Sequence, residues 1–306
     1  MGLLELPPLP ELVLEIIKAF LTKRDREFED FLLSEKEVHQ FLLEVANTPP
    51  FKRGEAPITN LRTALIVLGD TTTKILVLGL ISQKLMRTSF TEFSFHKFWA
   101  RALSQAIATY LFSDLIENIP PHLPLSAYLM DYGILLLYLT NPEKYLQVLS
   151  LKKQGYTLIE AEKEVFGISH PEVGAEYLEN YALPRRFILN ILHHHNLMEK
   201  VKGLPKEIQI DLSFLQIVDN FVGSFFSTNR EERWNNFKKL VINYLKEEEI
   251  ETLGEVFPKI ANTYLPFFNL QEFQLKSFSE LEREKEEEIK KLVSVEKEKE
   301  IIFPIE

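Results

Sequence analysis

No cysteine occurs among the 306 residues. That excludes disulfides, thiolate catalysis and cysteine–zinc sites together, and it suits a cytoplasmic protein. Glycine is scarce, with 11 residues, which favours helices over a fold of many tight turns. Basic side chains are outnumbered: 35 Lys and Arg against 45 Asp and Glu leave a formal charge of −10. A nucleic-acid surface needs a clustered basic excess, and an anionic membrane would repel such a chain, so neither is an expected partner. No Gly-rich phosphate loop, cofactor fingerprint or Ser-His-Asp order is present. Glu5 and Glu11 stand where a secretory leader would be basic and then apolar, so no signal peptide is expected.

What is present is apolar. Hydrophobic residues make up 45% of the chain, enough for a large core, and the length predicts one large domain with an appendage. The most apolar stretch is Leu123 to Thr140, LPLSAYLMDYGILLLYLT. A helix apolar on all sides belongs inside a core. It is barely long enough for a bilayer, Asp131 lies in its middle, and Pro120, Pro121 and Pro124 crowd its start, so a central bundle helix is expected. Asp131 is then the most informative residue, since a buried carboxylate is costly unless paired or metal-bound.

Helical spacing recurs throughout. Leu9, Leu12, Val13, Ile16, Ile17, Phe20 and Leu21 form one face after LPPLP. Ser34 with Glu37, Thr157 with Glu160, Ser169 with Glu172 and Thr228 with Glu231 have capping-box spacing. Ile58–Leu85 predicts two helices hinged at Leu68-Gly69-Asp70, Phe90–Phe112 another, and Asn141-Pro142 opens one running to about Lys153. Leu183-Pro184 opens the helix carrying His193, His194 and His195, and a last core helix spans Leu212 to about Phe226. Residues 280–300 are dominated by Glu, Lys and Arg and read as a solvated helix or short coiled-coil stub. The expected class is all-α.

These landmarks, in this order, resemble the HDOD signalling domain, a divergent branch of the HD-type metal phosphohydrolases. The resemblance is carried by LPPLP at Leu6, LLEVANTPPF at Leu42, ITNLRTALIVLG at Ile58, FWARALSQAIAT at Phe98 and AYLMDYGILLL at Ala127. It continues through the segment from Gly155 to Pro184 and ILHHHN at Ile191. It implies a multi-helix bundle over 1–225, divided into an N-terminal part, 1–90, and an HD-like core, 91–225. A C-terminal helical extension covers 226–306. In catalytic relatives the metal ligands are a His, a His-Asp doublet, later His residues and a final Asp. Here the first His position holds Arg101, the doublet is Met130-Asp131, and a Lys expected after Gly133 is Ile134. His170, His194-His195 and Asp219 match the remaining positions.

The substitutions decide the chemistry. Ionising a bound water near neutral pH requires a metal held by several N and O ligands, and two imidazoles are missing. A guanidinium at Arg101 has the charge of the missing cation and the geometry to grip Asp131 with both arms. Equally, a buried Asp131 can be a satisfied structural group. Of three consecutive histidines at most two can face one metal, because helical neighbours diverge by about 100°. His170 follows a capping serine, where the positive helix end favours the neutral imidazole. His39, His96 and His122 read as surface residues.

The resulting expectation is a non-catalytic bacterial signal-transduction module. It would bind a small signalling ligand or a protein partner through a degenerate cleft at Arg101, Asp131, His170, His194, His195 and Asp219. No cofactor and no metal is expected, and a homodimer is left open. The alternative is a metal-dependent phosphohydrolase using a divalent ion on Asp131, His170, His194, His195 and Asp219. A scaffold acting only through its charged tail is a third reading.

Overall fold

The chain is described from a computed structural model covering residues 6–284 and 287, apart from positions 7, 24, 50, 53, 86–92, 197–198 and 282. Its described residues form α-helices and two 3-10 turns with no strand, an all-α fold. The N-terminal helices are α1 (Glu11–Thr22), α2 (Asp25–Ser34), α3 (Lys36–Ala46), α4 (Leu61–Leu68) and α5 (Asp70–Leu85). Then come α6 (Phe95–Ser113), α7 (Leu123–Leu129), α8 (Tyr132–Thr140), α9 (Pro142–Lys153) and α10 (Leu158–Phe166). The chain continues through α11 (His170–Glu179), α12 (Arg185–His193), α13 (Lys206–Phe226), α14 (Arg230–Val241) and α15 (Glu247–Tyr264).

Several elements follow directly from local chemistry. The hinge between α4 and α5 is a 108° bend at Gly69, whose φ of 77° lies in the left-handed region where glycine has no Cβ penalty. Thr157 begins α10 with a reciprocal capping box to Glu160, and Gly167, φ 76°, closes that helix in the αL conformation. At α11 the Glu172 carboxylate accepts from both the backbone N–H and the hydroxyl of Ser169.

Two expected caps fail. Ser34 is instead the last residue of α2, its hydroxyl donating back to the Phe31 carbonyl, and Glu35 precedes α3. Asn229, not Thr228, precedes α14, and it makes no side-chain cap bond. In both cases the neighbouring residue reached the boundary first, and a spacing motif alone does not locate that boundary.

The apolar run is buried as expected, but it is two helices rather than one. Every residue from Leu123 to Gly133 is buried. The helix breaks at Met130-Asp131, where Asp131 has φ −91° and ψ 5°, in the sparsely populated bridge region. The segment is long and apolar enough to cross a bilayer, yet 83% of it is buried inside the bundle. The break turns the Asp131 carboxylate out of the helix line and towards α6.

Close packing around α8 depends on glycine. A Cβ on Gly133 would lie 1.9 Å from the His170 carbonyl, so only glycine lets the start of α11 approach α8. The C-terminal segment folds back on the N-terminal helices. Phe268 sits in a notch at Gly79, its ring also meeting Phe41, and the Tyr264 hydroxyl lies 3.2 Å from that of Thr72. Most of the charged stretch 280–300, where a coiled-coil stub was expected, lies outside the described residues.

Candidate functional site

Three helices, the α7–α8 break and the turn after α12 bring the site together around Asp131. Arg101 projects from α6, Asp131 from the α7–α8 break, His170 from the start of α11, and Asp219 from α13. His194 and His195 follow the last residue of α12, and both imidazoles approach the same carboxylate. His193 turns aside and its Nδ1 meets the Asn196 amide at 2.9 Å. All six residues singled out in the sequence therefore lie together.

The Arg101 guanidinium bridges two carboxylates. One nitrogen donates to Asp131 Oδ2 and another to Asp219 Oδ1. It does not grip Asp131 with both arms, because Asp219 claims the second. Asp219 is also held by Arg233 of α14, Nη1 to Oδ2 at 2.8 Å. Gln105, with its amide oriented so that both ends are paired, accepts from Arg101 at 3.3 Å and donates to the Ala127 carbonyl at 3.1 Å.

The other oxygen of Asp131 faces three imidazoles. Oδ1 lies 3.5 Å from His170 Nε2, 3.4 Å from His194 Nε2 and 3.9 Å from His195 Nε2. The outer nitrogens are fixed from behind. His170 Nδ1 meets Glu162 at 2.7 Å, and Glu162 also accepts the His170 backbone N–H at 2.8 Å. His194 Nδ1 meets the Ile191 carbonyl at 2.7 Å.

The protonation states follow from these contacts. Burial would raise the Asp131 pKa, but Arg101, with His170 and His194, holds it well below the ordinary value. Burial likewise opposes ionised Asp219, and Arg101 and Arg233 outweigh it. Desolvation, reinforced by His194 and His170, holds His195 well below an ordinary histidine. His170 departs from expectation. Burial would lower its pKa, but carboxylates on both ring nitrogens raise it to about 9. The helix end does not keep it neutral, since two nearby full charges exceed a partial one. At the floor of the site the guanidiniums of Arg101 and Arg233 thus compensate the carboxylates of Asp131 and Asp219.

Does this arrangement suit a divalent ion? The ligand atoms of Asp131, His170, His194 and His195 lie within 4.8 Å of one another, and the Nε2 atoms of His170 and His194 are buried without a hydrogen-bond partner. The donor set fits. The charges oppose it: an ion there would displace the His170 proton and stand beside Arg101. Like charges about 4 Å apart repel by roughly 4 kcal/mol per unit charge at an effective dielectric near 20.

Three participants were missed in the sequence. Glu162 occupies the i+4 place of the stripe Leu158, Val165, Phe166, and that charged residue on an apolar stripe was the available signal. Asp211 similarly interrupts the stripe Ile208, Leu212, Leu215. It forms a second buried cluster, accepting from Arg186 Nε and Nη2 at 2.7 Å each and from Asn190 at 3.0 Å, with His122 Nε2 at 2.9 Å. His122 is therefore no surface residue. Arg233 carries no local signal.

Above the floor opens a cleft of about 1230 Å³. Comparison with known proteins places this geometry in context. The HDOD domain family model matches residues 6–197. None of the curated proteins matches the chain. Among solved structures, an HDOD domain protein of unknown function from Geobacter sulfurreducens has a TM-score of 0.64 at 21% identity, covering 87% of this chain and 95% of that one. A candidate phosphohydrolase from Shewanella amazonensis SB2B has a TM-score of 0.63 at 17% identity, covering 87% and 95%. A candidate signal transduction protein from Marinobacter aquaeolei VT8 has a TM-score of 0.63 at 17% identity, covering 88% and 60%. At these identities the likeness is one of fold. Asp219 and Arg233 lie beyond the matched segment, yet they complete the site.

Proposed function

This chain belongs to the HDOD domain family, and from that premise we propose that it is a non-catalytic regulatory module acting by binding a ligand or protein partner through the cleft over Asp131. The observation that carries the reading is the Arg101 guanidinium between Asp131 and Asp219. A fixed positive charge there neutralises both carboxylates and supplies no exchangeable water to ionise. The neighbouring His170, poised as an imidazolium, is a donor and not a base. Such a floor is rigid and neutral, suited to being covered and not to turnover.

A second reading is favoured by one specific feature, the three Nε2 atoms around Asp131 Oδ1. In it, Asp131, His170, His194 and His195 would hold a divalent ion. Such an ion would supply a lowered water pKa. Glu162 and the Ile191 carbonyl would fix the rings, as partners behind metal-bound histidines commonly do. Incubating the untagged protein with Mn²⁺ and bis-p-nitrophenyl phosphate separates the two. The regulatory reading expects the same background rate from wild type and Asp131→Ala. Wild-type turnover that the substitution abolishes establishes the second reading instead.

A further inference from the structure

We infer that the mouth of this cleft is a binding site for a phosphate-bearing small molecule, its anionic group held by Lys97, Lys152 and Arg233 above the neutralised floor. The inference rests on the reading of the cleft as a ligand site.

The cleft departs from the charge of the chain around it. Overall the protein carries −10, yet Lys97, Arg101, Lys152, Lys163, Lys200 and Arg233 line the cleft against only two carboxylates, Asp131 and Glu172. Both carboxylates are already engaged. Asp131 is bound by Arg101, and Glu172 accepts from Ser169 and lies 3.2 Å from Lys163. Among the described residues, no carboxylate comes within ion-pair distance of Lys97, Lys152 or Lys200. Solvated lysines are common on surfaces, but these are gathered on one concavity, which focuses their field.

The crowding has a measurable consequence. Desolvation first, and then the charges of Arg233, Arg101 and Lys97, lower the pKa of Lys152. Glu162 offsets only part of this. Folding thus sets Lys97 and Lys152, which have no carboxylate partner among the described residues, beside Arg101 and Arg233, and a bound phosphate would relieve that repulsion. Backbone polarity points the same way. The residues preceding α10, α11 and α14, namely Thr157, Ser169 and Asn229, all line the cleft, which therefore borders three helix N-termini, those of α10 and α11 capped by Glu160 and Glu172. Arg233 is held in place by its bond to Asp219 and by Gly223, where a Cβ would lie 2.5 Å from its side chain. At about 1230 Å³ the space accommodates a nucleotide-sized molecule.

The test is isothermal titration of the full chain with inorganic pyrophosphate in low salt and EDTA, so that no metal carries the binding. Saturable binding is expected, weakened about tenfold by Lys97→Gln and by Lys152→Gln separately. Lys18→Gln on α1 should leave it unchanged. Both lysines lie on the surface of the fold, and an unchanged thermal unfolding midpoint of each variant is the control. Absence of saturation, equal affinity in the lysine variants, or pyrophosphate bound no tighter than sulfate would each overturn the inference. Those failures leave the non-catalytic reading intact, with a ligand of other chemistry. Mn²⁺-dependent hydrolysis of pyrophosphate lost in Asp131→Ala would instead overturn that reading, while the EDTA titration still decides the lysine site.

Discussion

Replacing Arg101 by methionine keeps most of the side-chain volume and removes the charge between two buried carboxylates. The side chains of Asp131 and Asp219 are 5% and 14% exposed, so water cannot take the guanidinium's place. Breaking a buried ion pair from one side costs about 3–5 kcal/mol. Arg101 itself is 23% exposed, which screens part of the interaction, so a loss of about 3 kcal/mol is expected at pH 7.5. The pH dependence is the sharper signature. In wild type the Asp131 pKa is depressed, so its contribution is complete above the ordinary carboxylate value and is lost only as pH falls through the lowered one. In Arg101→Met the largest of the opposing interactions is gone, and burial and Asp219, now opposed only by His170 and His194, raise that pKa. The variant then takes up a proton on mild acidification, and its deficit relative to wild type shrinks towards pH 5. Urea unfolding at the two pH values measures both effects. Adding Asp131→Asn and Asp219→Asn to Arg101→Met should recover much of the loss, because the stranded charges go with the cation. A deficit below about 1 kcal/mol at pH 7.5, or one unchanged at pH 5, would refute the account of Arg101 as the counter-ion.

Three further outcomes are expected. Glu162→Gln should lower the His170 pKa from about 9 in an NMR titration. Since a raised folded pKa gives stability below the unfolded value that is lost as pH rises through the folded one, the variant should also flatten the decline of wild-type stability between about pH 6.5 and 9. Gly133→Ala places a Cβ 1.9 Å from the His170 carbonyl and should cost on the order of 1–3 kcal/mol, read by thermal unfolding. At the second buried cluster, Arg186→Leu should bring acid unfolding to higher pH. The Asp211 carboxyl is held low against burial by His122, Arg186 and Asn190, and its contribution disappears as pH falls through its folded value.

Much of this architecture was legible in the residues, for identifiable reasons. The hinge at Gly69, the box at Thr157 and the start of α9 at Pro142 are local events whose chemistry lies within a few positions. The cluster at Asp131 was legible only through the order of motifs along the chain, since its members are up to 118 positions apart. The break at Met130-Asp131 was not legible. Apolar residues flank Asp131 on both sides at spacings a single helix would also satisfy, and its partner Arg101 is 30 positions away. Glu162 escaped because a carboxylate among Glu160, Lys163 and Glu164 looks solvated until its partner His170 is known. Arg233 escaped because it stands beyond the expected domain end, in a helix that only the fold brings back to Asp219.

The metal content of untagged protein bears most directly on the central claim. Purified wild type, incubated with Mn²⁺ or Zn²⁺, desalted and assayed by elemental analysis, should retain no stoichiometric metal. Arg101→His, which exchanges the fixed cation for a neutral ligand, should retain substantially more. Stoichiometric metal in wild type, lost in Asp131→Ala, would contradict the account.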